Sequence, residues 1–220
     1  MPLIIALAVV SIGLATSPFT RASDPDKLQD FCVAIKDSDA NVFLNGKICK
    51  NIAEVNADDF YLQDRFNIPR NTSNRLAYAP TLIGVESIPG LNTMGVSIGR
   101  ADFGPYGLST PHYHPLATEV LTVLEGTLYV GFIDSRNKLY AKTLLLGDIF
   151  VLPKGLIHFL YNTGESNASA YFAIGGQNPE AIVIPNASFG THPPIPPQLL
   201  SKAFLLDTNV ISRLQSQFGS

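Results

Sequence analysis

The sequence predicts an all-β body, a sandwich or barrel, closed by one or two α-helices at its end. Three observations carry that prediction. From about Asn92 to Ala187, short runs of β-branched and aromatic residues recur between turn signals: TMGVSIGRADF, EVLTVLEG, TLYVGFID, KLYAKTLLL, DIFVLP, IHFLYN and SAYFAIGG, with EG, DSRN and LGD among the turns. No helical period of useful length runs through this stretch. The tail, PPQLLSKAFLLDTNVISRLQSQF, then changes period. Leu199, Leu200, Ala203 and Phe204 fall at helical spacing, and Val210, Ile211, Leu214 and Phe218 repeat the pattern after Asp207 or Thr208, either of which can cap a helix. Such apolar stripes need a surface to cover, on the barrel or on a neighbouring subunit.

The chain begins with an apolar run, residues 2–15, too short to span a bilayer comfortably. It leads into SPFTRAS, and Thr20 and Ala22 fit the small-residue rule for cleavage near Ala22 or Ser23. Residues 1–23 therefore read as a secretory signal peptide, although no Lys or Arg precedes the apolar run. No other segment is long and apolar enough to be a transmembrane helix. Residues 24–80 are rich in Asn, Asp and Lys with little periodicity, and read as an N-terminal arm. The barrel is expected over 81–198 and a helical oligomerisation segment over 199–220.

Of the 220 residues, 46% are hydrophobic and 15% charged, a balance that suits a packed globular body. The formal net charge is −3 and no dense Lys/Arg patch occurs, which argues against nucleic acid or an anionic membrane surface as partner. In an oxidising compartment the two cysteines, Cys32 and Cys49, are expected to pair; two buried free thiols are the alternative. Closing that loop would stabilise by about 3 kcal/mol on the chain-entropy model. Asn71, Asn167 and Asn186 each open an N-x-S/T sequon, so a secreted chain would offer them for N-glycosylation.

The chemistry concentrates in PHYHPLATEVLTVLEG, residues 111–126. His112 and His114 share one face of a strand, about 6.6 Å apart along it, so both rings can reach one point. Glu119 follows His114 by an odd number of residues and would face away on an unbroken strand. Pro115 ends the ladder and lets PLAT form a loop, so Glu119 can open the next strand on the histidines' side. Tyr113 faces away and packs on apolar neighbours. A fourth group comes from GDIFVLPKGLIHFLYN, residues 147–162. Gly147-Asp148 and Pro153-Lys154-Gly155 are turns, and His158 enters the strand that follows, on the same face as Leu160. A lone histidine among apolar residues is usually a core histidine. Three of the chain's four histidines with one glutamate at turn-edged strand starts point to a metal site. His192, in THPPIPP, reads as an exposed bystander.

These residues also carry a resemblance. HYHPLATEVLTVLEG resembles the first cupin motif, G-x5-H-x-H-x3,4-E-x6-G, except that Tyr106 takes the place of the leading glycine. Residues 147–162 match the second motif, G-x5-P-x-G-x2-H-x3-N, at every fixed position. SDPDKLQDFCVAIKD, NGKICK, NADDF, IPGLNTMGVSIGRADFGPYG, FGTHPPIPP and LSKAFLLD are similar to the corresponding parts of plant germin-like proteins, across essentially the whole mature chain. The resemblance implies a cupin β-jellyroll barrel with C-terminal α-helices. It implies manganese held by His112, His114, Glu119 and His158, a disulfide between Cys32 and Cys49, and secretion to the apoplast or cell wall. It also implies a homo-oligomer, a hexamer built as a trimer of dimers with tail helices packed between subunits.

The donor set offers no thiolate, which disfavours copper(I) and structural zinc, while iron and nickel could use the same ligands as manganese. Germin-like proteins often resemble superoxide dismutases in activity, whereas true germins are oxalate oxidases whose two asparagines near the metal help hold the dicarboxylate. Gly99 and Ser109 stand at the two matching positions here. The expectation is superoxide chemistry in apoplastic defence or cell-wall oxidation, without oxalate oxidation. The alternative is a non-catalytic, metal-stabilised wall glycoprotein or a receptor for a small auxin-like ligand. Other relatives resemble a nucleotide-sugar pyrophosphatase, and no motif here selects that activity.

Overall fold

Among the described residues, short runs rich in β-branched and aromatic side chains form ten strands, with clear alternation of burial in β4 and β8. The computed structural model describes residues 30–35, 46–64, 66–177 and 179–219; the expected signal peptide, residues 1–23, lies outside them. The strands are β1 (Tyr78–Ile83), β2 (Ser97–Phe103), β3 (Leu108–Tyr113), β4 (Glu119–Glu125) and β5 (Leu128–Ile133). They continue with β6 (Leu139–Leu144), β7 (Ile149–Leu152), β8 (His158–Asn162), β9 (Ala168–Ile174) and β10 (Ile182–Val183). They form two five-stranded sheets in the orders β1-β2-β9-β4-β7 and β10-β3-β8-β5-β6. Every pairing is antiparallel. This is a β-jellyroll with short C-terminal helices.

The core lies between the sheets. Phe103 of β2, with Leu121 and Val123 of β4, clusters with Leu128 and Val130 of β5 and Leu160 of β8. Each such side chain contributes roughly 1.5–3 kcal/mol by leaving water. β1 takes up a segment that the sequence divides between arm and barrel. Pro80 obscures its strand pattern, and the sheet tolerates a proline there because β1 is an edge strand.

The arm is tied down at several points. The Cys32–Cys49 disulfide is formed. Asn92, fully buried, donates to the Lys47 carbonyl at 2.8 Å and accepts from the Lys47 N–H at 2.9 Å. Asn51 and Asn56 cap the 3₁₀ turns Ile52–Glu54 and Ala57–Phe60.

Three helices close the chain: α1 (Ile184–Phe189), α2 (Pro197–Phe204) and α3 (Thr208–Phe218). α1 is too short to leave a periodic signal. Asp207 is the cap of α3, accepting from the Asn209 N–H at 2.7 Å. Phe189 of α1 meets Phe204 at 5.3 Å and Phe218 at 6.2 Å between ring centroids. Leu200 and Ile211 are buried, but Leu199, Phe204 and Val210 remain exposed. Among the described residues, no helix is long and apolar enough to cross a membrane.

On the far face of β2, Arg100 and Asp102 form a buried pair. Arg100 Nε lies 2.8 Å and 3.0 Å from the two Asp102 oxygens, and Asp102 also accepts the Arg70 N–H at 3.0 Å. The pair is 4% and 3% exposed, so removing one partner strands a charge out of water. Asp102→Ala is expected to cost about 3–5 kcal/mol, read from the urea midpoint, while replacing both residues with apolar ones costs less. Equal losses in the single and double variants would contradict this.

Candidate metal centre

Strand register builds the site. His112 of β3 stands directly opposite His158 of β8, and their Nε2 atoms lie 3.1 Å apart. A bulge in the β3–β8 ladder between Ser109 and His112, where Pro111 sits, sets this alignment. His114 lies just past the end of β3, and the Gly155 N–H holds its carbonyl at 3.0 Å. Glu119 opens β4, which belongs to the other sheet. Its Oε2 is 3.2 Å from His114 Nε2 and 3.6 Å from His158 Nε2. One ligand atom from each of the four residues lies within 4.8 Å of all the others. His114, Glu119 and His158 are buried.

The backbone sets the tautomers. Nδ1 of His112 bonds the Thr110 carbonyl at 2.8 Å, that of His158 the Leu156 carbonyl at 2.9 Å, and that of His114 the Glu180 carbonyl at 2.9 Å. A carbonyl can only accept, so each Nδ1 carries the hydrogen and each neutral ring turns its Nε2 lone pair inward. The Glu119 carboxylate is a fourth acceptor. Four acceptors facing one another repel unless positive charge sits among them, and the donor set fits a divalent cation.

Electrostatics agree. Burial, helped by His158, pushes the His112 imidazolium down to about 4, so this ring is neutral at ordinary pH. Burial also works against a charged His114, but the Glu119 carboxylate and the Glu180 carbonyl outweigh it and raise the value. Burial alone would raise Glu119; His114 and His158, which can donate to it only when their Nε2 atoms carry a proton, overcome this and hold the carboxyl at about 2. A proton at the His114–Glu119 contact and a metal ion compete for the same lone pairs.

The remaining fixed residues of the second motif shape the frame. Gly147 and Gly155 sit at φ of +84° and +73°, so their turns require glycine for its backbone freedom. Asn162, buried, donates to the Gly104 and Ser166 carbonyls at 2.8 Å and 2.7 Å, and so serves the loops rather than the site. His192 is exposed and stands outside the cluster.

A cavity of about 660 Å³ opens beside His112, His114 and Glu119. Ser109 lines it and Gly99 does not, because the Phe172 ring stands over Gly99; Phe172 and Tyr78, two aromatic residues overlooked at the sequence level, line the cavity. Burial pushes the Tyr78 hydroxyl up to about 12, against the opposing hydrogen bond with Ser109 and with the aid of the Glu119 charge. The signal for Phe172 was Gly99 itself, since a glycine inside a strand often marks the close approach of another group.

Comparison with known proteins places these features in context. The cupin family model matches residues 65–212. Germin-like protein subfamily 1 member 16 of Arabidopsis thaliana is 47% identical over 220 residues, covering 99% of this chain and 97% of its own length. Germin-like protein 8-2 of Oryza sativa subsp. japonica is 51% identical over 215 residues, 96% of each chain. The solved structure of a recombinant oxalate oxidase in complex with glycolate superposes with a TM-score of 0.84 at 42% identity, covering 90% of this chain and all of the other.

The convergence of four acceptors has a direct test. His158→Ala removes one lone pair and leaves a void at the centre. It should weaken metal retention by more than the roughly 10–100-fold typical of losing a residue that only orients a ligand. Elemental analysis after dialysis against a weak chelator measures this, and full occupancy in the variant would show that His158 is not a ligand.

Proposed function

The chain belongs to the germin-like family of cupin proteins, and on that footing we propose that it is a secreted, manganese-binding glycoprotein of the cell wall or apoplast that disproportionates superoxide and does not oxidise oxalate. The observation that carries this reading is the set of three inward Nε2 lone pairs with one carboxylate at the edge of an open cavity. When bound, manganese supplies reversible one-electron exchange with a small oxygen anion. Three neutral imidazoles and a single carboxylate leave a divalent centre with a net positive charge, which attracts an anion. Four protein ligands leave coordination positions for one. Gly99 and Ser109 bear on oxalate: one has no side chain and the other a single hydroxyl, so neither offers the amide of a dicarboxylate clamp. If each missing amide is worth about 1–3 kcal/mol, the pair accounts for roughly tenfold to ten-thousandfold in binding or rate. Secretion also fits the formed disulfide. The sequon residues Asn71, Asn167 and Asn186 are all exposed and so accessible for glycosylation. In the wall, the product hydrogen peroxide would feed defence or cross-linking chemistry.

A non-catalytic receptor or wall protein remains the second reading, and the size of the cavity is the observation that favours it. Matched assays on metal-replete protein separate the readings. Superoxide disproportionation with little peroxide release from oxalate is expected. Strong oxalate turnover would overturn the clamp argument, and neither activity at full occupancy would favour the receptor.

Self-assembly rests on an apolar row across the outer face of the first sheet. Ile98, Ala173, Val120 and Val151 stand side by side on β2, β9, β4 and β7, all exposed. With the exposed apolar residues of α2 and α3, this row suits burial against further copies in a hexamer, a trimer of dimers. Light scattering should find the hexamer in the wild type and a smaller species in Val120→Lys. A wild type that stays monomeric at micromolar concentration would sink the assembly.

A further inference from the structure

Gly99 of β2 and Phe172 of β9 face each other across the ladder, and Phe172 also opposes Leu121 of β4. A Cβ on Gly99 would overlap the Phe172 ring at Cζ, Cε1 and Cε2. The ring therefore occupies the space of a side chain at position 99. Gly99 is required for room, since its backbone is ordinary strand. Tyr78 forms another aromatic part of the same cavity, beside Ser109 on its lining. Of the two positions expected to carry a polar clamp, 99 is thus covered by an aromatic ring, and 109 lines the cavity with a single hydroxyl.

The rest of the cavity follows suit, with walls from Pro80, Leu82, Leu108, Leu160 and Ile174. Apart from the histidines and Glu119, the charged residue on its lining is Arg75, whose guanidinium lies 5.4 Å from the centre of the Phe218 ring. A volume of about 660 Å³ exceeds the needs of a diatomic anion and falls within the range of pockets that enclose ligands of many atoms. A dicarboxylate with one end at the metal would press its second charge against Phe172 without a partner. An aromatic ring attached to a single carboxylate would instead stack or pack edge-on there.

We propose that Phe172, seated in the space Gly99 leaves, is the specificity-determining residue of this site, selecting a ligand with one carboxylate at the metal and an aromatic body in the cavity over a small dicarboxylate. This rests on reading the histidine–glutamate cluster as a metal site. The probes are 2-naphthoate, acetate and oxalate, titrated calorimetrically into metal-loaded protein whose manganese content is measured first. 2-Naphthoate should bind at least about tenfold more tightly than acetate or oxalate, and Phe172→Ala should erase most of that advantage at unchanged metal content. Should Phe172→Ala fold poorly, Phe172→Leu keeps much of the volume, removes the ring and carries the same expectation. A second arm needs no ligand. Gly99→Asn should lower the Tm, and Gly99→Asn with Phe172→Ala should recover much of it and shift preference from 2-naphthoate toward oxalate.

Four results would overturn the proposal: no preference for 2-naphthoate over acetate at full occupancy, a preference untouched by removing the ring, a wild-type Tm in Gly99→Asn, or no shift in preference in the double variant. A chain that takes up no metal would refute the metal site itself and this proposal with it, and elemental analysis reports that before any titration begins.

Discussion

Four buried acceptor atoms converge on one point, and with neutral imidazoles none of them can donate to another. Without a cation or a proton between them the arrangement is repulsive. Glu119 comes from one sheet and His112 and His158 from the other, so the same point of convergence lies between the two sheets. A divalent ion there would therefore join the halves of the jellyroll while it served chemistry. Structural and functional roles of the site are hard to separate for this reason.

The cavity obeys a different logic. Its walls descend from the inner faces of both sheets, where alternation places apolar residues for packing. Close to the ligands, packing gives way to open space, and only a few positions decide what that space accepts. Gly99 matters through what it permits, namely the ring of Phe172. A substitution at one of these two positions is felt at the other, so neither can be judged alone.

Much of the fold and the centre was visible in the sequence, because the information was local. Period-two runs between glycine and asparagine turns mark most strands, and the spacing of His112, His114, Glu119 and His158 follows from two strand–turn units. What stayed hidden is non-local or too short to show a period. β1 is masked by Pro80, acceptable only at an edge, and edge position is a property of the finished sheet. α1 spans six residues. The Phe172–Gly99 contact needs the β2–β9 register, and the carbonyl that orients His114 lies on Glu180, 66 positions along the chain.

The main-chain carbonyls that fix the three imidazoles carry a consequence for divergence. Thr110, Leu156 and Glu180 contribute only their backbone oxygens. Point mutation can replace their side chains and leave those oxygens in place, provided the chain keeps its path. The orientation of the ligands is thus insulated from drift, whereas the cavity walls, made of side chains, are not. A lineage built on this scaffold can change what it recognises one wall residue at a time, and the centre beneath survives each step.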